Sequence, residues 1–113
     1  MKKPETLFKD KVIRALNKLD NIWFFKSQEV SVKGIPDFII CACGQFIGLE
    51  IKKSSKEKAD PLQERTLYKI WKAGGVRIVA SPENWEDNLI IIKRVIFDAK
   101  PESSILEVIT PFE

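Results

Sequence analysis

Apolar residues near the start of the chain fall at Leu7, Phe8, Val12, Ile13, Ala15, Leu16 and Leu19, with Lys and Arg between them. This spacing predicts a helix over residues 5–19 with one buried stripe. Asn21 then begins a turn, and the aromatic run Ile22-Trp23-Phe24-Phe25-Lys26 predicts a short strand. Residues 28–33 are polar with alternating valines and fit either a loop or a ragged strand end. Phe38-Ile39-Ile40-Cys41-Ala42-Cys43 and Phe46-Ile47-Gly48-Leu49-Glu50-Ile51-Lys52 flank Gly44-Gln45, which predicts a β-hairpin with a type II′ turn.

Asp60 as N-cap, Pro61 at the first position and Gln63 at the third announce a second helix. Leu62, Thr66, Leu67, Ile70 and Trp71 follow in it, and Gly74 terminates it. Val76-Arg77-Ile78-Val79-Ala80 predicts a buried strand, and Ser81-Pro82-Glu83 supplies a cap and a first-turn proline for a third helix. Trp85, Leu89, Ile92 and Ile96 recur in that helix at its period, although Leu89-Ile90-Ile91-Ile92 also suits a strand. Residues 101–113 form an acidic tail that either adds a strand at 105–109 or lies loose. The order helix, strand, hairpin, helix, strand, helix predicts an α/β domain, with a mixed central sheet flanked by helices.

The hairpin carries the chemistry. Pairing outward from Gly44-Gln45 sets Ile39 against Glu50 and Asp37 against Lys52, all on one face, while Phe38, Ile40, Ala42, Ile47, Leu49 and Ile51 make the other face wholly apolar. Asp37 and Glu50 are diagonal neighbours in this register. A turn at Cys43-Gly44 instead would oppose them directly without changing the faces. Two carboxylates so close repel unless a cation lies between them, which calls for a divalent metal with oxygen ligands, Lys52 offsetting part of the charge. Taken singly, Asp37 and Lys52 also read as an exposed cross-strand ion pair.

Composition narrows the choices. At 113 residues and 13.0 kDa, with 44% hydrophobic residues, the chain is expected to be a single domain over residues 1–113 with room for one site. Residues 1–100 hold 19 basic and 13 acidic residues, a charge of +6, and the tail carries Glu102, Glu107 and Glu113. A basic body suits a polyanionic partner. The chain has no histidine, which excludes Ser-His-Asp triads, His-metal nucleases and Cys/His zinc sites. Cys41 and Cys43, two apart on a strand, read as reduced thiols. No run is long enough to span a membrane, and the first residues lead into an amphipathic segment, so the expected location is the cytoplasm.

Pro36-Asp37 followed by Glu50-Ile51-Lys52 resembles the motif of the PD-(D/E)xK nuclease superfamily, and within it most closely the VRR-NUC family. Glu5 near the first helix start, Gly34 before Pro36, the strand Gly48-Leu49-Glu50-Ile51-Lys52, Gln63 at the next helix start and Gly74-Gly75 before a strand keep the same order over residues 5–85. The sequence departs from the pattern in an added Lys53 and in a charged Lys56-Glu57-Lys58 loop.

The resemblance implies a restriction-endonuclease-like fold and a metal-dependent DNA endonuclease. On it, Asp37, Glu50 and the Ile51 carbonyl would hold Mg²⁺ or Mn²⁺, Glu5 would help with a second ion, and Lys52 would orient the attacking water. Gln63 would stand beside the scissile phosphate or that water, yet it is equally explained as a capping-box partner. Glu5 has a plain explanation too, since a first-turn carboxylate is favoured by the helix dipole. Lys53, Lys56 and Lys58 are candidate phosphate contacts, although a solvated loop would look the same. Standalone chains of this kind are expected to act as homodimers on branched DNA, four-way junctions first. The alternative is a non-catalytic nucleic-acid-binding or accessory module that keeps the fold.

Overall fold

The structure is a computed structural model and describes residues 2–27 and 33–98. Its elements run α1 (Pro4–Asn17), β1 (Ile22–Lys26), β2 (Phe38–Ala42), β3 (Gln45–Ile51), α2 (Pro61–Lys72), β4 (Val76–Ala80) and α3 (Trp85–Asp98). This is the predicted order, and the Leu89–Ile92 run is helical. The readings of residues 28–32 and of the tail at 101–113, with its candidate strand at 105–109, lie outside the described residues. Among the described residues, no helix is long and apolar enough to cross a membrane.

The strands form one sheet in the order β1-β2-β3-β4, antiparallel except for the parallel β3–β4 pair. A two-residue turn suffices between β2 and β3, whereas the parallel pair needs the α2 crossover. Phe38, Ile40 and Ala42 of β2, Ile47, Leu49 and Ile51 of β3, and Ile78 and Ala80 of β4 are buried on one face. There they join Phe8, Val12 and Leu16 of α1 and Trp85 and Ile92 of α3 in the core. On the opposite face α2 packs against Gly48, where a Cβ would stand 2.7 Å from Ile70 Cδ1. A side chain at Gly48 would therefore force the Ile70 side chain to move.

Two expectations need correction. The hairpin turn is Cys43-Gly44, not Gly44-Gln45: both residues have positive φ (51° and 82°), the type I′ pattern, and Ala42 pairs with Gln45. Cys43 N–H donates to the Asn21 carbonyl at 3.1 Å and the Gln45 side-chain amide donates to Gly74 O at 2.7 Å, so both sides of the turn are tied in this register. The third helix starts at Trp85 rather than at Pro82. Residues 82–84 form a turn instead, closed by Asn84 N–H donating to the Ser81 carbonyl at 3.1 Å and by Ser81 N–H donating to Asn84 Oδ1 at 2.7 Å, and Asn88 N–H donates to the Asn84 carbonyl at 3.1 Å. Trp85, on the predicted apolar stripe of the third helix, is 1% exposed, with the Phe8 ring edge-on at 6.1 Å.

Candidate active site

The corrected register brings the acidic pair together. Continued one step beyond the Phe38↔Leu49 pair, it sets Asp37 directly opposite Glu50 at the carboxyl end of β3. Gly34, at φ +87°, lets the chain pass beside α2; a Cβ there would stand 3.0 Å from the Leu62 carbonyl oxygen. Pro36 is buried next to Asp37. Its carbonyl accepts a hydrogen bond from Ser27 Oγ, and the Asp37 carbonyl accepts one from Ser27 N–H at 2.8 Å. The approach to Asp37 is thus held by the end of β1.

The two carboxylates are interlocked through the backbone. Asp37 N–H donates to Glu50 Oε1 at 3.1 Å, and Ile51 N–H donates to Asp37 Oδ2 at 2.8 Å. Lys52 Nζ lies 3.3 Å from Glu50 Oε2 and donates to Gln63 Oε1 at 3.1 Å. Glu50 is 1% exposed. Burial pushes its carboxyl from 4.5 up to about 7, the charge and hydrogen bonding of Asp37 push the same way, and Lys52 pulls back. A buried carboxyl poised near neutrality beside a second carboxylate marks a place where charge has been concentrated against its own electrostatics.

Gln63 is the capping-box partner that the sequence allowed, and it also touches Lys52. The capping box is complete, with Gln63 N–H donating to Asp60 Oδ1 at 2.9 Å and Asp60 N–H donating to Gln63 Oε1 at 3.3 Å. The same Oε1 receives Lys52, so the helix start anchors the lysine. Glu5 is held off the pair: Lys9 Nζ stands between, 3.8 Å from Glu5 Oε1 and 3.4 Å from Asp37 Oδ1. Lys53, Lys56 and Lys58 are exposed on the loop after β3, and Lys53 is 3.9 Å from Glu57 Oε2.

Two residues at the site went unmarked in the sequence. Lys9 had one signal, its i,i+4 spacing from Glu5. Glu57, whose Oε1 comes 3.7 Å from Lys52 Nζ, had none, being one charge in a charged loop.

Among the described residues, no group of three or more His, Cys, Asp and Glu side chains is gathered as a metal cage. The donors present suit a hard cation that keeps water and substrate ligands of its own: two carboxylates and the neighbouring Ile51 carbonyl. Burial first and the Asp37 charge second raise the Glu50 pKa, and the ammonium of Lys9 is drawn to Asp37, so the pair favours a nearby cation.

A mixed four-stranded sheet with helices on both faces is an α/β architecture consistent with the restriction-endonuclease-like fold. The comparisons make this more particular. A solved structure described as a VRR_NUC domain superposes with a TM-score of 0.61 at 21% identity, covering 85% of this chain and 97% of that one. The chain has the VRR-NUC fold. No family model matches the sequence, and no curated protein matches it either.

Proposed function

We propose that the protein is a VRR-NUC-type endonuclease that hydrolyses phosphodiester bonds in DNA with Mg²⁺ or Mn²⁺. One observation carries the reading: the buried Glu50 carboxyl, raised to about 7, lies opposite Asp37 with Lys52 Nζ 3.3 Å away. A structural ion pair has no use for two carboxylates set directly opposite each other, and a surface that only binds DNA would repel phosphate with them. The neighbour's name, VRR_NUC, points the same way.

Asp37, Glu50 and the Ile51 carbonyl would hold the ion, which supplies an acidified water and counter-charge for the phosphate. Lys9 has to turn away from Asp37 for this, and Glu5, at its other side, is the candidate for a second ion. Lys52 is held between Glu50 and Gln63 and aims its ammonium at the charge developing on the phosphate. Near neutral pH, Glu50 would have to release its proton to hold the ion, so metal affinity should rise with pH. Lys53, Lys56 and Lys58 lie beside the site to take flanking phosphates.

The preferred substrate in this reading is branched DNA, a four-way junction foremost, cut by a homodimer. One domain with one site cuts one strand, and resolving a junction takes two symmetry-related cuts. Ile90 and Phe97, two turns apart on α3 and exposed, offer apolar surface for a two-fold contact. The test is cleavage of a labelled junction and of the matching plain duplex in Mg²⁺, Mn²⁺ and EDTA, with light scattering alongside. Metal-dependent cutting that favours the junction, by a particle of twice 13.0 kDa, is expected. No cutting with either metal would overturn the enzyme; equal cutting of both DNAs, or a monomer, would overturn the junction-resolving dimer.

A further inference from the structure

Among the described residues, the sheet face under α2 is only half covered. α2 lies over β3 and β4, where Gly48 receives Ile70 and Leu67 and where Glu64 holds Arg77 at 2.7 Å. Trp23 pairs with Cys41 and Phe25 with Ile39, while Cys41 in turn pairs with Phe46, which puts these side chains on that same face. Trp23 is 62% exposed, Phe46 43% and Phe25 38%, and the Trp23 and Phe25 rings stand 5.5 Å apart. A cavity of about 330 Å³ opens between Phe46 and the near side of α2, lined by one cation, Lys69, and by no carboxylate.

The outer ridge of α2 is basic. Arg65, Lys69 and Lys72 follow one another at helical spacing and are all exposed. Among the described residues, the ion pair made by α2 is that of Glu64 with Arg77, which leaves these three cations out. A second copy of the chain is a poor occupant for such a groove. A two-fold contact through this face would bring both basic ridges to one seam, like charge against like. A ligand with flat apolar faces strung on an anionic backbone satisfies both features, with bases on the rings and phosphates along the ridge. Paired bases are stacked inside the duplex and present no free face, so the ligand is unpaired.

We propose that the bare β1–β2 half of this face is a stacking platform for unpaired nucleotides of the strand that enters the Asp37–Glu50 site. It rests on the nuclease reading and specifies which part of a branched substrate the protein grips. Asp37 lies two residues before Ile39 on this same face, so a strand laid along the platform runs on to the carboxylates.

The full chain in EDTA, read by fluorescence anisotropy, tests it on a blunt duplex and on the same duplex with an oligothymidine overhang. The parent should bind the overhang form more tightly. Trp23→Ala and Phe25→Ala should each weaken it about tenfold and leave the blunt duplex unchanged, with Trp23→Phe restoring most of the loss. Lys69→Ala should weaken both DNAs and flatten their salt dependence. Equal parental affinity for the two DNAs, or equal loss on both from Trp23→Ala, would overturn the platform. So would a drop in mass by light scattering for Trp23→Ala, because the face would then join copies of the chain. Metal plays no part in this readout, so a parent that grips overhangs but cuts nothing would sink the nuclease reading and leave the platform standing. A parent that cuts but binds both DNAs alike would do the reverse.

Discussion

The two faces of the β2–β3 hairpin are built on one backbone and are buried to opposite ends. On the core face Phe38, Ile40, Ala42, Ile47, Leu49 and Ile51 are each 1% exposed or less, under α1 and α3. On the other face Glu50 is as deeply buried, yet it is a carboxyl facing another carboxylate. Removing apolar area from water stabilises the fold at roughly 25 cal/mol per Å². Removing Glu50 from water works against the fold and appears as its pKa of about 7. Burial on one side is why the sheet forms, and burial on the other is why its end can be reactive.

Paired substitutions should separate the two faces most sharply. Lys52→Ala should lower cleavage by roughly 10²–10³-fold, since it removes a charge aimed at the transition state, and should leave the protein folded. Leu49→Ala, one layer away, should cost about 2–5 kcal/mol in urea unfolding, while turnover per folded molecule stays near the parent's. Near-parental cutting by Lys52→Ala would refute the site. Loss of activity in fully folded Leu49→Ala would show that the two faces are not separable.

Acidity gives a smaller effect with a definite sign. Between about 4.5 and 7 the folded chain holds a proton on Glu50 that the unfolded chain has released, so stability should fall as pH rises through that window and then level off. In metal-free protein the fall should be on the order of 3 kcal/mol. Glu50→Gln should remove it, leaving a variant with no cleavage and a flatter melting profile between pH 5 and 8. Saturating Mg²⁺ should raise the parent's melting temperature more at pH 8 than at pH 5, because the ion competes with that proton. A parent whose metal-free stability climbs across this range would contradict the buried, raised carboxyl.

Much of this contrast was legible in the chain. Period-two alternation fixes which residues share a face whatever the turn does, so the apolar set and the Asp37, Glu50, Lys52 set came out correctly although the turn was placed one residue late. The capping box was readable because Asp60, Pro61 and Gln63 act within one turn of helix. Tertiary meetings were not. Lys9 reaches Asp37 from α1, and no local period links those two positions. Trp85 stands on the predicted stripe and Ile90 off it, as their 1% and 62% exposures show, but nothing local to α3 says that Phe8 of α1 is what meets Trp85.

The smallest effect concerns the residue shared by stability and site. Gln63 Oε1 accepts from Asp60 N–H at 3.3 Å and from Lys52 Nζ at 3.1 Å, so deleting its side chain removes a cap partner and a lysine anchor together. Asp60 belongs to the cap alone: its Oδ1 takes Gln63 N–H at 2.9 Å. Asp60→Ala and Gln63→Ala should therefore each cost about 1 kcal/mol of stability by thermal melting. Only Gln63→Ala should also slow cleavage, by about tenfold, because Lys52 then keeps its acidic neighbours Glu50 and Glu57 but loses the neutral acceptor that holds it between them. If both variants, compared at a temperature where each is folded, cut at the parental rate, Gln63 is a cap and nothing more. If Asp60→Ala slows cleavage as much as Gln63→Ala does, the helix start positions the site as a unit, and the separate anchoring of Lys52 by Gln63 is wrong.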